Sequence, residues 1–494
     1  MDDAVRDGGV VLAVSFDIAN AFNSLPWPII RRALVEKEIP GCLRRVLDGY
    51  LSEGDRWLSY IDRDDRYMKF SMRCGIPQGS VLGPTLWNIG YDSILRIGLP
   101  VRCSSICYAD DTFLVVRGSS FREAVVRAEL GAIVVVRAIE RLGLKVSIKK
   151  TEAVAFACEV PRASLRIGDI EIEVKSSIKY LGLVLDSRWT FREHFQRLFP
   201  KALGTAVSLG RLTANIGGPG ECRRRVYATV VMSVVLYGAP VWTQAIAIDR
   251  ITRPAAARLQ RQLALRIIRG TVSYEASLLL ARLVPFDLLA DRLRSSYLRR
   301  RVLIERDGFV APRAMSHIRD DELRRSIARW RKRLEELPRD APGAAVRGAL
   351  VLKISAWMTR AHGGLTYRIT QVIVGHGCFE AYLHKIRKSE SPICRHCRAA
   401  IDNDVHTFLH CPSWAAERRN LFVALGLDLD LDQEYARVIE AIMGSSVAWT
   451  AFARFFKAVM RVKQEAEKDC ERDRRARVVH PPVLSSFSRD PDFS

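Results

Sequence analysis

Two aspartates, Asp110 and Asp111, stand side by side in the stretch ICYADDTFLVV, flanked on both sides by apolar residues. Neighbouring carboxylates repel, so a chain that holds them at the tip of an apolar hairpin needs something that offsets the repulsion. Divalent cations of the Mg2+ type do this, because they prefer oxygen ligands. Phosphoryl transfer to a growing nucleic-acid chain uses two such ions about 3.5–4 Å apart, one activating the attacking 3′-hydroxyl and one holding the departing pyrophosphate. A third carboxylate from a separate strand would complete the set. Asp17, near the end of the apolar run GVVLAVSFDI at residues 9–18, is the candidate. Taken alone, ADD is a common tripeptide and reads first as a solvated turn.

A second constellation lies far downstream. The segment CRHCRAAIDNDVHTFLHC offers Cys394, Cys397, His406 and Cys411, three thiolates and one imidazole. That donor set suits one tetrahedral Zn2+, and four protein ligands leave no open position, so the expected role is structural. His410 is an alternative fourth ligand, His396 sits between the first two cysteines without an expected role in ligation, and Cys378 reads as packing.

These residues need a scaffold, and the pattern of apolar residues supplies one. The run at 9–18 predicts a strand, and ANAFNSLPWPIIRRALVEKEIP after it predicts a helix. Two hairpin strands are expected at about 103–117, an amphipathic helix over 121–142, and two or three short strands within SLRIGDIEIEVKSSIKYLGLVLD. This is an α+β core. From about 190 to 300 the pattern turns helical and basic.

The chain has 494 residues with 77 Lys+Arg against 55 Asp+Glu, a formal charge of +22. A balance so basic favours a polyanionic partner, since phosphate contacts release counterions. No run approaches the roughly 18 consecutive apolar residues of a spanning helix, and the opening MDDAVRDGGVVLAVSFD lacks a basic region before its apolar stretch. The expectation is therefore no membrane partner, no secretory leader and an intracellular protein. Eleven scattered cysteines point to reduced thiols, with metal binding where spacing permits.

Five segments then change the weight of ADD. FDIANAF (Phe16–Phe22), GIPQGSVLGPTLWNI (Gly75–Ile89), YADD (Tyr108–Asp111), GLKVSIKKTEAVAF (Gly143–Phe156) and YLGLVLD (Tyr180–Asp186) occur in this order. They resemble the successive palm motifs of reverse transcriptases, above all those of non-LTR (LINE-type) retrotransposons of the arthropod class that inserts into ribosomal RNA genes. The resemblance implies RNA-directed DNA polymerase activity in target-primed reverse transcription, with an RNA template, a DNA primer or target DNA, and dNTPs as partners. It implies two catalytic Mg2+ ions on Asp17, Asp110 and Asp111, and action in the nucleus at the site of integration. Phe22 matches the aromatic that excludes a ribose 2′-hydroxyl, and Gln78 and Gly79 match the nucleotide-pocket pair. Lys150 matches the lysine near the pyrophosphate, with Lys149 as its neighbour and alternative. Tyr180, Leu181 and Gly182 match the primer-grip hairpin.

The implied architecture is a polymerase palm, an antiparallel sheet with helices, over 1–190, with its fingers mostly missing. A helical thumb-like domain follows at 191–304, a charged helical connector at 305–354, a CCHC zinc-knuckle-like segment at 355–420, C-terminal helices at 421–469 and a disordered tail at 470–494. In the thumb-like part Arg223, Arg224 and Arg225 are candidates for phosphate contacts or a solvated face, and no four-acid RNase H pattern stands out between 250 and 345. The start close to Asp17 suggests a fragment of a longer polyprotein or a truncated genomic relic. The alternative function is that of an inactive nucleic-acid-binding relic in which the palm persists as scaffold and the zinc segment binds RNA or DNA.

Overall fold

A computed structural model describes residues 9–52, 57–156, 163–213, 218–427 and 434–479. The chain divides into two compact units, Met1–Phe195 and Gln196–Ser494.

The first unit is built on a six-stranded sheet in the order β4-β5-β1-β6-β8-β7. Here β1 is Val10–Phe16, β4 Cys103–Tyr108, β5 Asp111–Gly118, β6 Glu152–Phe156, β7 Ser164–Ile167 and β8 Ile170–Lys175. Strand β1 lies at the centre, antiparallel to both β5 and β6. The sheet is not wholly antiparallel as expected, because β6 and β8 run parallel. Two separate hairpins, β2 with β3 (Trp57–Ile61, Tyr67–Ser71) and β9 with β10 (Ser177–Tyr180, Leu183–Asp186), complete the strands. The stretch read as two or three strands after Ser164 therefore contains four, and the β2–β3 hairpin has no counterpart in the sequence reading.

Alternation along the strands decides which residues face the core. Leu12, Val14 and Phe16 of β1, Leu114 and Val116 of β5, and Ala153 and Ala155 of β6 are buried with the helix Phe121–Arg141. That helix presents Ala124, Ala128, Gly131 and Ala132, small residues that let it lie close to the sheet; a Cβ on Gly131 would already sit 3.1 Å from Leu114. Ser120 caps its first turn by accepting from the Glu123 amide.

The second unit is helical, and among its described residues Trp242, Trp330 and Trp357 are fully buried. The stretch 305–354, expected as a connector, packs instead. Its helix Pro312–Glu335 buries Ile318, Ile327, Trp330 and Leu334, and the Trp330 indole donates to Glu275. The tail is also corrected in part: the helix Ser446–Val479 continues through residues expected to be disordered from 470, while 480–494 lie outside the described residues. No single helix among the described residues is long and apolar enough to cross a membrane.

Arg224 corrects another expectation. It makes no phosphate-facing surface, because it is buried and donates to the carbonyls of Pro219 (2.8 Å) and Arg266 (2.8 Å). A buried ion pair ties distant segments together: Arg282 donates through Nε (3.1 Å) and Nη2 (2.9 Å) to Glu221, whose other oxygen accepts the Leu365 amide at 2.6 Å. Removing one partner strands the other charge. Arg282→Met should therefore lower stability by about 3–5 kcal/mol, and adding Glu221→Leu should recover most of the loss. Urea denaturation followed by tryptophan fluorescence measures both.

Candidate active site and metal centre

The site in the first unit is assembled by strand register. Phe16 of β1 pairs with Thr112 of β5, and Tyr108 of β4 pairs with Asp111. One residue further along β1, Asp17 comes level with Asp111, on the sheet face opposite the helix-packed side. Neighbouring strands lie about 4.8 Å apart, so the two carboxylates converge at the end where the β4–β5 turn carries Asp110. Partial burial, followed by the negative charges of Asp110 and Asp17, pushes the Asp111 carboxyl pKa upward. The turn itself is strained: Ala109 has a φ of 53°, a left-handed conformation that costs a non-glycine residue on the order of 1–3 kcal/mol.

Lys150 reaches the same place from another segment. Ile18 pairs with Val146, and the Ala19 and Ser147 amides donate to Lys145 and Asp17 carbonyls at 2.8 and 2.7 Å. This short antiparallel run delivers Lys150 Nζ to 3.4 Å from Asp17 Oδ2. Lys150, rather than Lys149, is thus the lysine in ion-pair distance. Both partners are substantially exposed, so the pair is weak.

Phe22 is fixed by stacking. Its ring lies 4.8 Å from Trp87, and Trp87 lies 5.1 Å from Tyr91. The Tyr91 hydroxyl is 2.7 Å from Thr112 Oγ1, with both groups buried. This line from Phe22 to the residue after Asp111 was not anticipated; WNIGY carries it at helical spacing, but the partner Thr112 is evident only once β5 is in place. The loop of Gln78 and Gly79 is held against Phe22 from the other side. The Ile76 amide donates to the Phe22 carbonyl at 2.7 Å, and Gly75 (φ 82°) fits where a Cβ would fall 2.5 Å from the Asn23 oxygen. Gln78 and Gly79 are exposed, and Gly79 also has a φ of 82°.

Tyr180, Leu181 and Gly182 form the β9–β10 turn. Tyr180 pairs with Leu183, leaving a two-residue loop in which Leu181 and Gly182 have φ of 45° and 81°, as a type I′ turn requires. The Tyr180 ring stacks on Phe113 at 4.3 Å. Burial, with the charge of Asp111 behind it, pushes the Tyr180 phenol up to about 12.

In the second unit, Cys394, Cys397, His406 and Cys411 present ligand atoms that all lie within 4.8 Å of one another. Cys394 Sγ and Cys411 Sγ are 4.0 Å apart, and Cys397 Sγ is 3.3 Å from His406 Nε2. A tetrahedron with Zn–S bonds of about 2.3 Å has edges of about 3.8 Å, so shifts of an ångström or less would close the set around that ion. His410 is exposed and His396 packs edge-on against Trp414; Cys378 is buried elsewhere. Asn403 caps the His406 amide, and Arg418 bonds the carbonyls of Phe408 and Cys411. Among the described residues, the three aspartates do not close to the same degree; their oxygens nonetheless suit a hard divalent cation.

Residues 2–185 match the family described as reverse transcriptase (RNA-dependent DNA polymerase). The chain is 26% identical over 423 residues to the putative 115 kDa protein in type-1 retrotransposable element R1DM of Drosophila melanogaster, covering 82% of this chain and 40% of that protein. It is 26% identical over 427 residues to the retrovirus-related Pol polyprotein from type-1 retrotransposable element R1 of Bradysia coprophila, covering 81% and 40%. The chain thus spans about two fifths of the length of these relatives. Among solved structures, a telomerase from Candida albicans in complex with a fragment of telomeric RNA aligns over 55% of this chain and 52% of that one, with 13% identity and a TM-score of 0.31.

The Tyr91–Thr112 contact gives a direct test of how the carboxylate hairpin is held. Thr112→Val keeps the shape but leaves the Tyr91 hydroxyl buried without its partner, and should cost about 1–3 kcal/mol. Thermal melting of the full chain reads the loss, and Tyr91→Phe added to it should restore most of the stability.

Proposed function

We propose, from the match of residues 2–185 to the reverse transcriptase family, that this chain is the RNA-directed DNA polymerase portion of a non-LTR retrotransposon protein. Its partners are then an RNA template, a DNA primer or target strand, and dNTPs, with reverse transcription primed at the target in the nucleus. The observation that carries the reading is the register of β1 against β5, which brings Asp17 beside Asp111.

Asp17, Asp110 and Asp111 would hold two Mg2+ ions, which when bound activate the primer hydroxyl and neutralise the developing pyrophosphate charge. The residues of the chain do the rest. Phe22, braced by Trp87, cannot swing away, so a 2′-hydroxyl meets a fixed ring and ribonucleotides are excluded by repulsion rather than by attraction to deoxyribose. Gly79 lets backbone approach the incoming sugar, and the Gln78 amide can hydrogen-bond it. Lys150 is positioned to release Asp17 and turn its ammonium toward the pyrophosphate, offering charge or a proton. The Tyr180–Leu183 turn, braced on Phe113, supports the primer end beside the carboxylates.

The Cys394, Cys397, His406 and Cys411 set is read as a structural zinc site, on the strength of its closed four-ligand geometry. Burial holds His406 below its ordinary pKa, in the neutral form a metal needs.

Primer extension on poly(rA)/oligo(dT) tests the polymerase. The Asp110→Asn variant should lose about a thousandfold in rate, whereas undiminished extension by that variant excludes the carboxylate assignment. A wild-type chain that binds hybrid but never extends it supports the scaffold reading instead. Phe22→Val should raise ribonucleotide incorporation by at least about tenfold relative to deoxyribonucleotide, read in the same assay with rNTPs. Native mass spectrometry should find one zinc per chain, lost in Cys397→Ser and Cys411→Ser; equal metal content in the variants would remove the zinc site.

A further inference from the structure

The second unit contains a cavity of about 830 Å3 that the polymerase reading does not use. It lies among the helices Arg192–Arg211, Thr252–Ile268, Tyr367–Val374 and Glu380–Lys385, and its volume falls in the range of small-molecule sites. We propose that this cavity receives one unstacked nucleotide of a single-stranded nucleic acid, its base against His376 and Tyr382 and its phosphate on Arg266 and Arg269.

The lining has the chemistry that such a ligand needs. His376 and Tyr382 stack face to face, with ring centroids 4.4 Å apart and planes inclined by 23°, so a base would extend the stack on an outer ring face. His376 is hydrogen-bonded to the Thr271 backbone, and burial keeps it below its ordinary pKa, which favours the neutral ring. Among the described residues, two arginines line the cavity and no aspartate or glutamate does. Arg266 is exposed at the mouth and packs flat over Gly210, where a Cβ would touch its guanidinium carbon at 3.8 Å. Arg269 closes the helix with a φ of 59° and commits Nη2 to the Pro219 carbonyl at 2.6 Å, but its Nε is sealed from solvent with no partner. Behind them the buried Arg224 adds a third guanidinium, its pKa lowered to about 10 by burial and then by the charges of Arg269 and Arg266. The mutual repulsion of these guanidinium groups, felt at Arg224, favours an anion between Arg266 and Arg269.

A stacking surface beside guanidinium groups is how proteins hold single strands without sequence preference: every base has a π-face, and the phosphate takes the charge. An acidic peptide would satisfy the arginines but leave the paired rings without a planar guest. The choice of a nucleic-acid ligand rests on the polymerase reading; the geometry of the cavity does not.

Short single-stranded RNA and DNA oligonucleotides carrying one 2-aminopurine, titrated with the full chain, test the proposal by fluorescence. Polymerase activity is not the readout, so a chain inert in primer extension can still pass or fail. Binding should alter the 2-aminopurine signal by stacking. Tyr382→Ala should weaken affinity about 5- to 100-fold, and Arg266→Gln should lower the slope of log Kd against log salt by about one. An oligonucleotide with an abasic residue in place of 2-aminopurine, added as a competitor against the fluorescent strand, should bind the wild type more weakly than the intact strand, but Tyr382→Ala no more weakly. If Tyr382→Ala fails to fold, Tyr382→Leu keeps the bulk and removes the stacking. Tighter binding of RNA or of DNA identifies the source of the strand, and either result supports the site. Equal affinity for the abasic oligonucleotide overturns the proposal, as does loss confined to Arg266→Gln, which describes a phosphate track alone. Full displacement by poly-glutamate with no change in the 2-aminopurine signal also overturns it.

Discussion

Three carboxylates of one sign are kept at one end of a sheet, and the antiparallel register of β1 with β5 is what keeps them there. The pairing runs without interruption from Val10 opposite Gly118 to Phe16 opposite Thr112. Alternate residues in it, Leu12, Val14 and Phe16 with Leu114 and Val116, are buried on the helix-packed face, so a slip of one residue would turn Leu12, Val14 and Phe16 out of the core. Core burial therefore imposes the repulsion between Asp17 and Asp111. The strain at Ala109 and the raised pKa of Asp111 are consequences of the same constraint. Lys150 relieves only part of it, since an exposed ammonium at 3.4 Å is largely answered by water.

Around this point the first unit is stiffened by aromatic contact rather than by charge. Phe22, Trp87 and Tyr91 stack in sequence and end on Thr112, while Tyr180 covers Phe113 from the other face. Consecutive residues of β5 are thus held from opposite sides of the sheet. A steric filter at Phe22 works only if the ring cannot yield, and this packing supplies that rigidity. The second unit relies on buried ion pairs. Lys463 donates to both oxygens of Asp402 at 2.7 Å, with about 1% of either side chain exposed, and Asp402 also accepts from the Glu380 amide and Thr407 hydroxyl. Asp402 lies between Cys397 and His406, so this pair anchors the knuckle to the C-terminal helix.

What the sequence revealed followed from short-range chemistry. The strand ending at Asp17, the hairpin around Asp110 and Asp111 and the helix after Ser120 are all written in local periodicity. The four zinc-type ligands are written in spacing, and their choice of His406 over His410 follows from the turn geometry around Asn403. What remained hidden depends on tertiary context. Arg224 in ECRRRV has the look of a solvated cation, yet carbonyls of Pro219 and Arg266 take its donors in the interior. Arginines spaced along 312–335 leave the expected helix legible but mask its packing, with Trp330 buried. The β2–β3 hairpin escaped because Trp57, Tyr60, Tyr67 and Phe70 are exposed on it, so no inward and outward alternation marks the strands. Residues 470–479 are polar, but Arg474 reaches the Lys388 carbonyl and Cys470 meets Arg395, contacts that composition does not reveal.

The account stands or falls on whether Asp17 and the Asp110–Asp111 turn share one cation site. Loading the chain with Fe2+ in place of Mg2+ and adding peroxide and ascorbate cuts the backbone close to the bound ion, and peptide mapping locates the cuts. Cleavage in both segments, near residue 17 and near residue 110, suppressed together by excess Mg2+ and lost in Asp110→Asn, is the predicted result. Cutting at only one segment, or at both but indifferent to Mg2+, would contradict it.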